Sequence, residues 1–318
     1  MAEAQMTAGA NQTWLDQASD IARRMRVRGF EYVMKNNGGY LSQICSAAEI
    51  FAYLYVKGLN IGESQGPMSP EKFSGNPGKD NPNYEGGGIY NGPKTPEFDT
   101  FFFSPAHYAL VLYVALIEVG RLAPEALSEF NTDGTKVELI GAEHSPGVES
   151  TTGSLGQALS QAIGVAIARG RRGDTGNVWV MMSDGEFQEG QTWEAIQAAA
   201  YYKLGNLCAI VDVNEQQCDG AMEDVMTIEP LAERINAFGG YAVDIDGHDL
   251  NAMDEAFANR PKDKPLIILA RTDATRGVPL MQERAPVLHY LRFSSEQERA
   301  KYQQAFEDMK AEAATWNS

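Results

Sequence analysis

Polar residues follow two apolar segments at a spacing that could build a metal site. The segment SDGE (183–186) comes directly after the apolar run 177–182, and Asn214 comes directly after the apolar run 207–213. Asp184 and Asn214 lie 30 residues apart, a separation that fits one strand–helix–strand unit. Their carboxylate and amide oxygens are hard ligands, suited to Mg²⁺ or Ca²⁺ rather than Zn²⁺.

The same turn has properties of a diphosphate site. Mg²⁺ usually takes several of its oxygen ligands from substrate phosphates. Gly185 lets a phosphate approach the backbone, and a helix that begins after the turn presents free N–H groups. Asp-Gly after a strand is also ordinary turn chemistry. The repetition of polar residues after consecutive strands, with Asp246-Gly247-His248 after a third, favours a ligand site.

The elements that must position these residues alternate along the chain. Apolar strands are predicted over 177–182, 207–213, 240–246 and 265–270, with helices over 191–203, 228–239 and 250–259 between them. This alternation is typical of the α/β class, a parallel sheet flanked by helices on both faces. Because ligands bind beyond the carboxyl ends of parallel strands, the three polar segments are expected at one edge of the sheet.

The rest of the chain predicts further helices and one long loop. Helices are predicted over 13–35, 46–59 and 104–120, and a Gly-rich turn followed by a helix over 151–170; a loop rich in Gly, Pro and Asn covers 62–98. A long loop in a compact domain is usually functional or mobile. We expect a single domain over 1–318, with a polar C-terminal helical tail from about 283.

Composition and charge exclude several classes of protein. The formal net charge of −17 disfavours nucleic acid and anionic lipid as partners. No segment approaches 18 apolar residues, so no membrane span is expected. The three cysteines form no CxxC pair and no even disulfide framework, and residues 1–17 lack a basic region followed by an apolar run. These features predict a cytoplasmic protein.

Four segments resemble the transketolase family. The segment SDGEFQEGQTWEAIQAAAYYKLGNLCAIVDVNEQQCDG (183–220) resembles its thiamine-diphosphate motif, in which GDG is followed by a spacer and then Asn. VESTTGSLGQAL (148–159), FSPAHYA (103–109) and DIDGHDL (244–250) are similar to further family segments. The resemblance extends from about residue 15 to 290, and it implies the family's thiamine-diphosphate-binding fold.

The resemblance implies ligands for a cofactor and a metal. Asp184 and Asn214 would be side-chain ligands of Mg²⁺ (or Ca²⁺), and the backbone carbonyl of Gln216 would be the third protein ligand. Gly185 and Glu186 would offer backbone N–H groups to the diphosphate of thiamine diphosphate.

The resemblance also implies residues around the reacting centre. Gly153 and Leu155 would pack around the two rings of the cofactor. His107 and His248 would be the catalytic histidines near the diphosphate. Each histidine has a structural alternative, because His107 could be a core histidine and His248 could close a turn.

Two glutamates concern the interface, and further positions concern the substrate or depart from the family pattern. Glu189 and Glu194 match residues that link two distant cofactors across the family's dimer interface, although first-turn glutamates also suit a helix dipole. Tyr40 stands where the family usually has a histidine that faces the sugar, so the substrate is expected to be unusual.

Either Ala142 or His144 could replace a family loop histidine. His289 lies near another family histidine, but His144 and His289 could both be surface residues. Ser183 stands where the family usually has glycine.

The length of the chain suggests a split enzyme. A full transketolase has three domains, and the resemblance covers only the first. The glutamate that activates the cofactor belongs to the second domain, so this chain is expected to need a companion subunit, in a heterotetramer. The activity implied is transfer of a two-carbon ketol unit from a ketose, or its phosphate or analogue, to an aldose.

Two other functions stay open at this stage. One is the alpha subunit of a 2-oxoacid dehydrogenase, which shares the metal motif and the split architecture. The segments KLGNL (203–207), SPAHYA (104–109) and DGHD (246–249) favour transketolase instead. The other is a non-catalytic binding subunit, for which Tyr40 is the strongest indication.

Overall fold

A parallel sheet forms the centre of the chain. The computed structural model describes residues 13–314. The domain predicted over 1–318 therefore extends beyond the described residues at both ends, by residues 1–12 and 315–318. The strands are β1 (Gly38–Gly39), β2 (Thr100–Phe103), β3 (Val178–Ser183), β4 (Leu207–Val213), β5 (Gln216–Gln217), β6 (Gly220–Ala221), β7 (Tyr241–Asp246), β8 (Leu266–Arg271) and β9 (Leu291–Arg292). The helices are α1 (Trp14–Lys35), α2 (Leu41–Tyr53), α3 (Ala109–Glu118), α4 (Ala158–Arg172), α5 (Gly190–Tyr201), α6 (Met222–Val225), α7 (Leu231–Ala237), α8 (Leu250–Ala258) and α9 (Glu296–Ala314).

The predicted α/β class is confirmed. Five strands form one sheet in the order β2-β3-β4-β8-β7, and every neighbouring pair is parallel. Successive side chains of a strand point to opposite faces, and here both faces are covered. Trp179 and Met181 pack into the core beneath α1, α2 and α3, whereas Val178 and Val180 pack into the core beneath α4, α5 and α7.

The three polar turns lie at one edge of the sheet, as expected, although the spatial order of the strands differs from their order along the chain. The turn with Asp184 and the turn with Asn214 do follow adjacent strands, β3 and β4. The turn with His248 follows β7, which is the edge strand, and β8 lies between β7 and β4. All three turns are at the carboxyl edge, but the third is not the neighbour of the second, because the chain passes over the position that β8 later fills.

Several boundaries differ from the sequence prediction for identifiable reasons. Helix α2 begins at Leu41, not Ser46, and all of its residues are buried, so it lacks the polar face that marks a helix in a sequence. Ser46 is not an N-cap; its hydroxyl donates to a buried carboxylate on β4. Strand β2 was not predicted because its four residues run directly into the segment SPAHYA (104–109).

A short antiparallel ladder ties the C-terminal segment to the start of α2. Gly38 pairs with Arg292 and Gly39 pairs with Leu291. A Cβ at Gly38 would lie 2.5 Å from the Leu291 carbonyl oxygen, so only glycine permits this approach. The ladder places the ring of Tyr40 4.9 Å from the ring of Tyr290, centroid to centroid.

Helix α9 anchors the polar tail predicted from about 283. Its charged residues face outward, but Tyr302 and Phe306 are buried. Their rings pack edge-on against Phe30 of α1, at centroid distances of 6.3 and 5.4 Å. Within residues 13–314, no helix combines the length and the apolar character needed to cross a membrane.

Candidate functional site

Asp184 lies at the carboxyl end of β3 with its carboxylate buried. Its Oδ1 accepts from the Gly185 N–H at 2.8 Å, and its Oδ2 accepts from the Glu215 N–H at 2.7 Å. Burial, followed by the charge of Asp212, raises the pKa of Asp184 to about 8. The side chain thus bridges the turns after β3 and β4 in an environment that disfavours its charge unless a cation is present.

Asn214 is held in place by a buried carboxylate that sequence reasoning missed. The Asn214 amide nitrogen donates to Asp212 Oδ2 and to the Tyr108 hydroxyl, each at 2.9 Å. Asp212 also accepts from Ser46 at 2.6 Å and from Thr272 at 2.5 Å. Because the nitrogen is committed to these acceptors, the Asn214 oxygen must face the loop 214–216, where it accepts from the Gln216 N–H at 3.0 Å.

The donor set around this loop fits a hard divalent cation. Asp184 supplies a carboxylate, Asn214 an amide oxygen, and Gln216 has a backbone carbonyl in the same loop. The Gln216 side-chain oxygen is itself buried without a hydrogen-bond partner among the described residues. Within residues 13–314 no group of three His, Cys, Asp or Glu side chains could hold a metal ion. Oxygen ligands with one carboxylate are what Mg²⁺ uses when phosphates complete its shell.

Glu186 connects three segments around the turn after β3. Its carboxylate accepts from the N–H groups of Ser183 and Gly156, each at 3.0 Å, and from the Ser104 hydroxyl. Burial raises the pKa of Glu186. The Ser183 hydroxyl accepts the Glu186 N–H in return, which completes a capping box. The N–H groups of Gly185 and Glu186, predicted for a diphosphate, therefore both have acceptors within this turn.

The Gly-rich segment is positioned by the same carboxylate. Gly156 has φ +80°, and a Cβ there would lie 2.7 Å from the Glu189 Cβ. Gly153 also has positive φ, at +114°, and is exposed, whereas Leu155 is half-buried. Thr152 donates to the Phe103 carbonyl at 3.1 Å, so the segment lies against the end of β2.

His107, Tyr40 and His289 form an aromatic cluster beside the loop 214–216. The His107 ring is 5.3 Å from the His289 ring and 5.9 Å from the Tyr40 ring. Burial, followed by the nearby His289, lowers the pKa of His107 to about 3. Burial also lowers the pKa of His289, and a hydrogen bond with the Gln216 backbone opposes that shift. The cluster thus places two neutral imidazoles next to the predicted metal ligands.

His289 was not predicted as a site residue. It lies far along the chain from the motif, just before strand β9, which pairs with β1 at the start of α2. Its position near a family histidine was the one signal in the sequence.

Both ring nitrogens of His248 are hydrogen-bonded within the chain. Nδ1 lies 2.9 Å from Glu49 Oε2, and Nε2 accepts from the Asp273 N–H at 2.9 Å. Glu49 also pairs with Arg26; burial opposes its ionisation, but the hydrogen bonds from His248 and Arg26 lower the pKa of Glu49 to about 2. In this arrangement His248 joins the turn after β7 to the turn after β8. Its catalytic role stays a prediction.

The loop with Ala142 and His144 meets the long loop 62–98. The buried His144 ring packs on Phe73 at 4.3 Å between centroids, and its Nε2 lies 3.2 Å from the Glu138 carboxylate without the alignment of a hydrogen bond. The Ala142 N–H donates to the Ser145 hydroxyl at 3.1 Å. The neighbouring Gly141 N–H donates to the Ala106 carbonyl at 3.1 Å, beside His107.

Glu189 and Glu194 lie at the start of α5 with exposed side chains. Helix α5 also presents Tyr201, which is 79% exposed, and Tyr202 follows it. Exposure of these side chains leaves them available to another chain, and their interface role stays a prediction.

Comparison with known proteins matches this geometry to one family. The family described as "Transketolase, thiamine diphosphate binding domain" matches residues 89–307. A putative uncharacterized transketolase family protein of Sinorhizobium fredii is 35% identical over 275 residues, which are 85% of this chain and 88% of the relative. An apulose-4-phosphate transketolase subunit of Actinobacillus succinogenes is 33% identical over 207 residues, which are 64% of this chain and 75% of the relative.

A solved transketolase has the same fold. The transketolase of Campylobacter jejuni superposes with a TM-score of 0.66 at 21% identity, over 95% of this chain and 48% of the other. This chain thus spans about half the length of the solved enzyme. The family match covers the turns that carry Asp184 and Asn214, together with most of the sheet and helices around them. The chain therefore belongs to the transketolase family and contains that family's thiamine-diphosphate-binding domain.

Proposed function

We propose that this chain is the diphosphate-binding subunit of a split transketolase. With a companion subunit it transfers a two-carbon ketol unit from a ketose, or its phosphate or analogue, to an aldose. The observation that carries the proposal is the contact between Asp184 and the loop 214–216, where a carboxylate, an amide oxygen and a carbonyl lie at the ends of adjacent strands. Mg²⁺, or Ca²⁺, is the metal that suits these oxygens.

The chain's own residues would hold the cofactor by its metal and diphosphate end. Asp184, Asn214 and the Gln216 carbonyl would bind the metal, and Gly153 and Leu155 would lie against the rings. Thiamine diphosphate, when bound, supplies the nucleophile and electron sink for breaking the ketose carbon–carbon bond. His107 and His289 are neutral and half-buried beside this loop, so they can donate or accept hydrogen bonds at substrate oxygens.

Relatives support the proposal of a companion subunit. The chain covers 48% of the solved Campylobacter jejuni enzyme, and the Actinobacillus succinogenes relative is itself named as a subunit. The exposed Glu189 and Glu194 on α5 are the candidates for contact with the other chains of a heterotetramer. Cys45, Cys208 and Cys218 are free thiols, which is in keeping with a cytoplasmic location.

The activity can be tested on the reconstituted protein. This chain and a candidate companion, which carries the second and third transketolase domains, are mixed with thiamine diphosphate and Mg²⁺. They are then assayed in parallel with ketose–aldose pairs and with 2-oxo acids. Ketol transfer without decarboxylation supports the proposal. Decarboxylation of a 2-oxo acid identifies a 2-oxoacid dehydrogenase subunit instead, and absence of cofactor binding by the mixture identifies a non-catalytic subunit.

A further inference from the structure

An arginine on strand β9 lies at the outer end of the aromatic cluster. The guanidinium carbon of Arg292 is 5.8 Å from the centre of the Tyr290 ring. Tyr290 in turn lies 4.9 Å from Tyr40, between ring centroids. Tyr40 is the member of the cluster that contacts both His107 and His289. A continuous row of side chains therefore leads from the two histidines to a cation on the surface.

The burial pattern around β9 shows which side of the ladder Arg292 occupies. Leu291 and Phe293 are buried, whereas Tyr290 is 37% exposed and Arg292 is exposed. Because successive residues of a strand point to opposite faces, Tyr290 and Arg292 share the outward face. The residue opposite Arg292 across the ladder is Gly38, which has no side chain to cover that face. The guanidinium is therefore accessible on the side that carries Tyr290.

The hydrogen-bonding capacity of the Arg292 guanidinium is unused by the part of the chain that the structure describes. Within residues 13–314 this guanidinium has no ion pair and no hydrogen bond. By contrast, Arg26 pairs with Glu49, and Arg271 pairs with Asp244, so the charges of those two arginines are compensated. A guanidinium presents its N–H donors in a planar fork that matches an oxyanion. Arg292 thus combines an uncompensated charge with free donors.

An anionic substrate of this chain would need such a local charge. The formal net charge of −17 produces a field that repels anions. A cation beside the site opposes that field over a Debye length of about 10 Å. The contact with the Tyr290 ring restricts the guanidinium without using any of its N–H donors. The arginine is thus held at the outer end of the cluster with its donors available.

We propose that Arg292 is a specificity-determining residue that binds the terminal oxyanion of a sugar substrate, a phosphate or a carboxylate. The sugar would extend along Tyr40 and Tyr290, with its reacting end beside His107 and His289. The proposal rests on the proposed ketol transfer and adds a binding residue to it. Arginine can bind either oxyanion through two parallel N–H bonds. Arg292 makes and breaks no covalent bond, so it determines the affinity for the sugar and leaves the chemical step unchanged.

Sugars that differ only in their terminal group test this role. The chain, reconstituted with its companion, thiamine diphosphate and Mg²⁺, is assayed with fructose, fructose 6-phosphate and fructuronate as donors and glycolaldehyde as the acceptor. Arg292→Gln should lower kcat/KM for the anionic donor by roughly tenfold or more, as expected for the loss of hydrogen bonds to a charged group. The change should be in KM, and kcat/KM for fructose should stay the same.

The two anionic donors identify which oxyanion Arg292 binds. A loss confined to fructose 6-phosphate assigns it to a phosphate, and a loss confined to fructuronate assigns it to a carboxylate. An equal change of kcat/KM for all three sugars would overturn the proposal.

Two further variants separate a local site from a general effect of charge. Arg292→Lys keeps the charge but lacks the planar fork, so it should retain part of the preference for the anionic donor. Arg171→Gln removes an exposed arginine in the last turn of α4, near the amino end of β3, and should behave as the wild type. Added salt should raise KM for the anionic donor more in the wild type than in Arg292→Gln. An equal loss in Arg171→Gln and Arg292→Gln would contradict a local site.

Binding measurements test Arg292 independently of turnover. The same reconstituted protein is titrated with fructose 6-phosphate and with fructuronate, and Arg292→Gln should bind the preferred sugar more weakly by the same factor. If the wild type binds an anionic sugar in this way without ketol transfer, the proposed function is wrong and the role of Arg292 in binding is supported. Equal affinity of wild type and Arg292→Gln, or no binding by the wild type, would overturn the proposal. Loss of companion binding in Arg292→Gln would also overturn it, because Arg292 would then belong to the subunit interface.

Discussion

The carboxylate of Asp212 accepts a hydrogen bond from the Asn214 amide at 2.9 Å, and Asp212 is completely buried. Because Asp212 is buried, its carboxylate does not contact solvent. It orients the side chain of Asn214, the candidate metal ligand. Three hydroxyl groups from other elements converge on the same carboxylate, those of Ser46, Tyr108 and Thr272. The candidate metal ligand at 214 is therefore oriented by helix α2, the segment before α3 and the end of β8 together.

Removal of this acceptor should weaken both the fold and the site. Asp212→Ala leaves several buried donors without their acceptor, and each such loss costs about 1–3 kcal/mol. We expect the free energy of unfolding in urea to fall by about 3 kcal/mol, together with a loss of thiamine diphosphate affinity in the reconstituted enzyme. Asp263→Ala, at an exposed position, is the control. Equal stability of the two variants would show that the network is not what holds Asn214.

The backbone of the Gly-rich segment should not accept a side chain at 156. Gly156→Ala combines a φ of +80° with a Cβ 2.7 Å from the Glu189 Cβ, so we expect a loss of about 1–3 kcal/mol in thermal or urea unfolding. Gly164→Ala is the matched control, because a Cβ there meets nothing within 4 Å and the position lies within α4. This control should gain up to about 1 kcal/mol from helix propensity. A loss at 164 as large as that at 156 would refute this explanation.

His107 should make the fold sensitive to acid. Its pKa is about 3 in the folded chain, below the ordinary value of 6.5, so the unfolded chain takes up a proton first. The contribution of His107 to stability is complete above pH 6.5 and is lost as the pH falls from there toward 3. His107→Gln should lose less stability over this range than the wild type, in urea unfolding at a series of pH values. If the free energy of unfolding fell equally with pH in the wild type and in His107→Gln, the burial of a neutral His107 ring would be contradicted.

Tyr40 should determine which sugars the enzyme uses. Its ring fills the space between His107, His289 and Tyr290, and burial raises the pKa of its hydroxyl, so it stays neutral. Tyr40→His removes ring volume and adds a titratable donor. We expect the ratio of kcat/KM between two ketose donors to change by roughly tenfold or more, with unfolding unchanged. Tyr201→His, on the exposed end of α5, should leave the ratio at its wild-type value.

The sequence predicted the site residues that follow consecutive strands. It did not predict contacts between segments that are distant along the chain. Asp184 and Asn214 follow consecutive strands, and their approach depends only on the pairing of β3 with β4. Asp212 is inside a buried strand, where its single polar side chain was hidden in an apolar pattern. His107 and His289 lie next to each other although they are distant in the sequence, and no periodicity reveals the β1–β9 pairing that ties their segments together. The order of β7 and β8 was missed for the same reason, since chain order is not spatial order.

The most direct test of the proposed function is turnover as a function of added companion. The purified chain, with saturating thiamine diphosphate and Mg²⁺ and a ketose–aldose pair, is titrated with a subunit that carries the second and third transketolase domains. We predict no ketol transfer by either chain alone and activity that rises to a plateau as the companion is added. Asp184→Asn, which removes the carboxylate of the predicted metal site, should abolish that activity. Turnover by this chain alone would contradict the split enzyme, and full activity of Asp184→Asn with the companion would contradict the metal site.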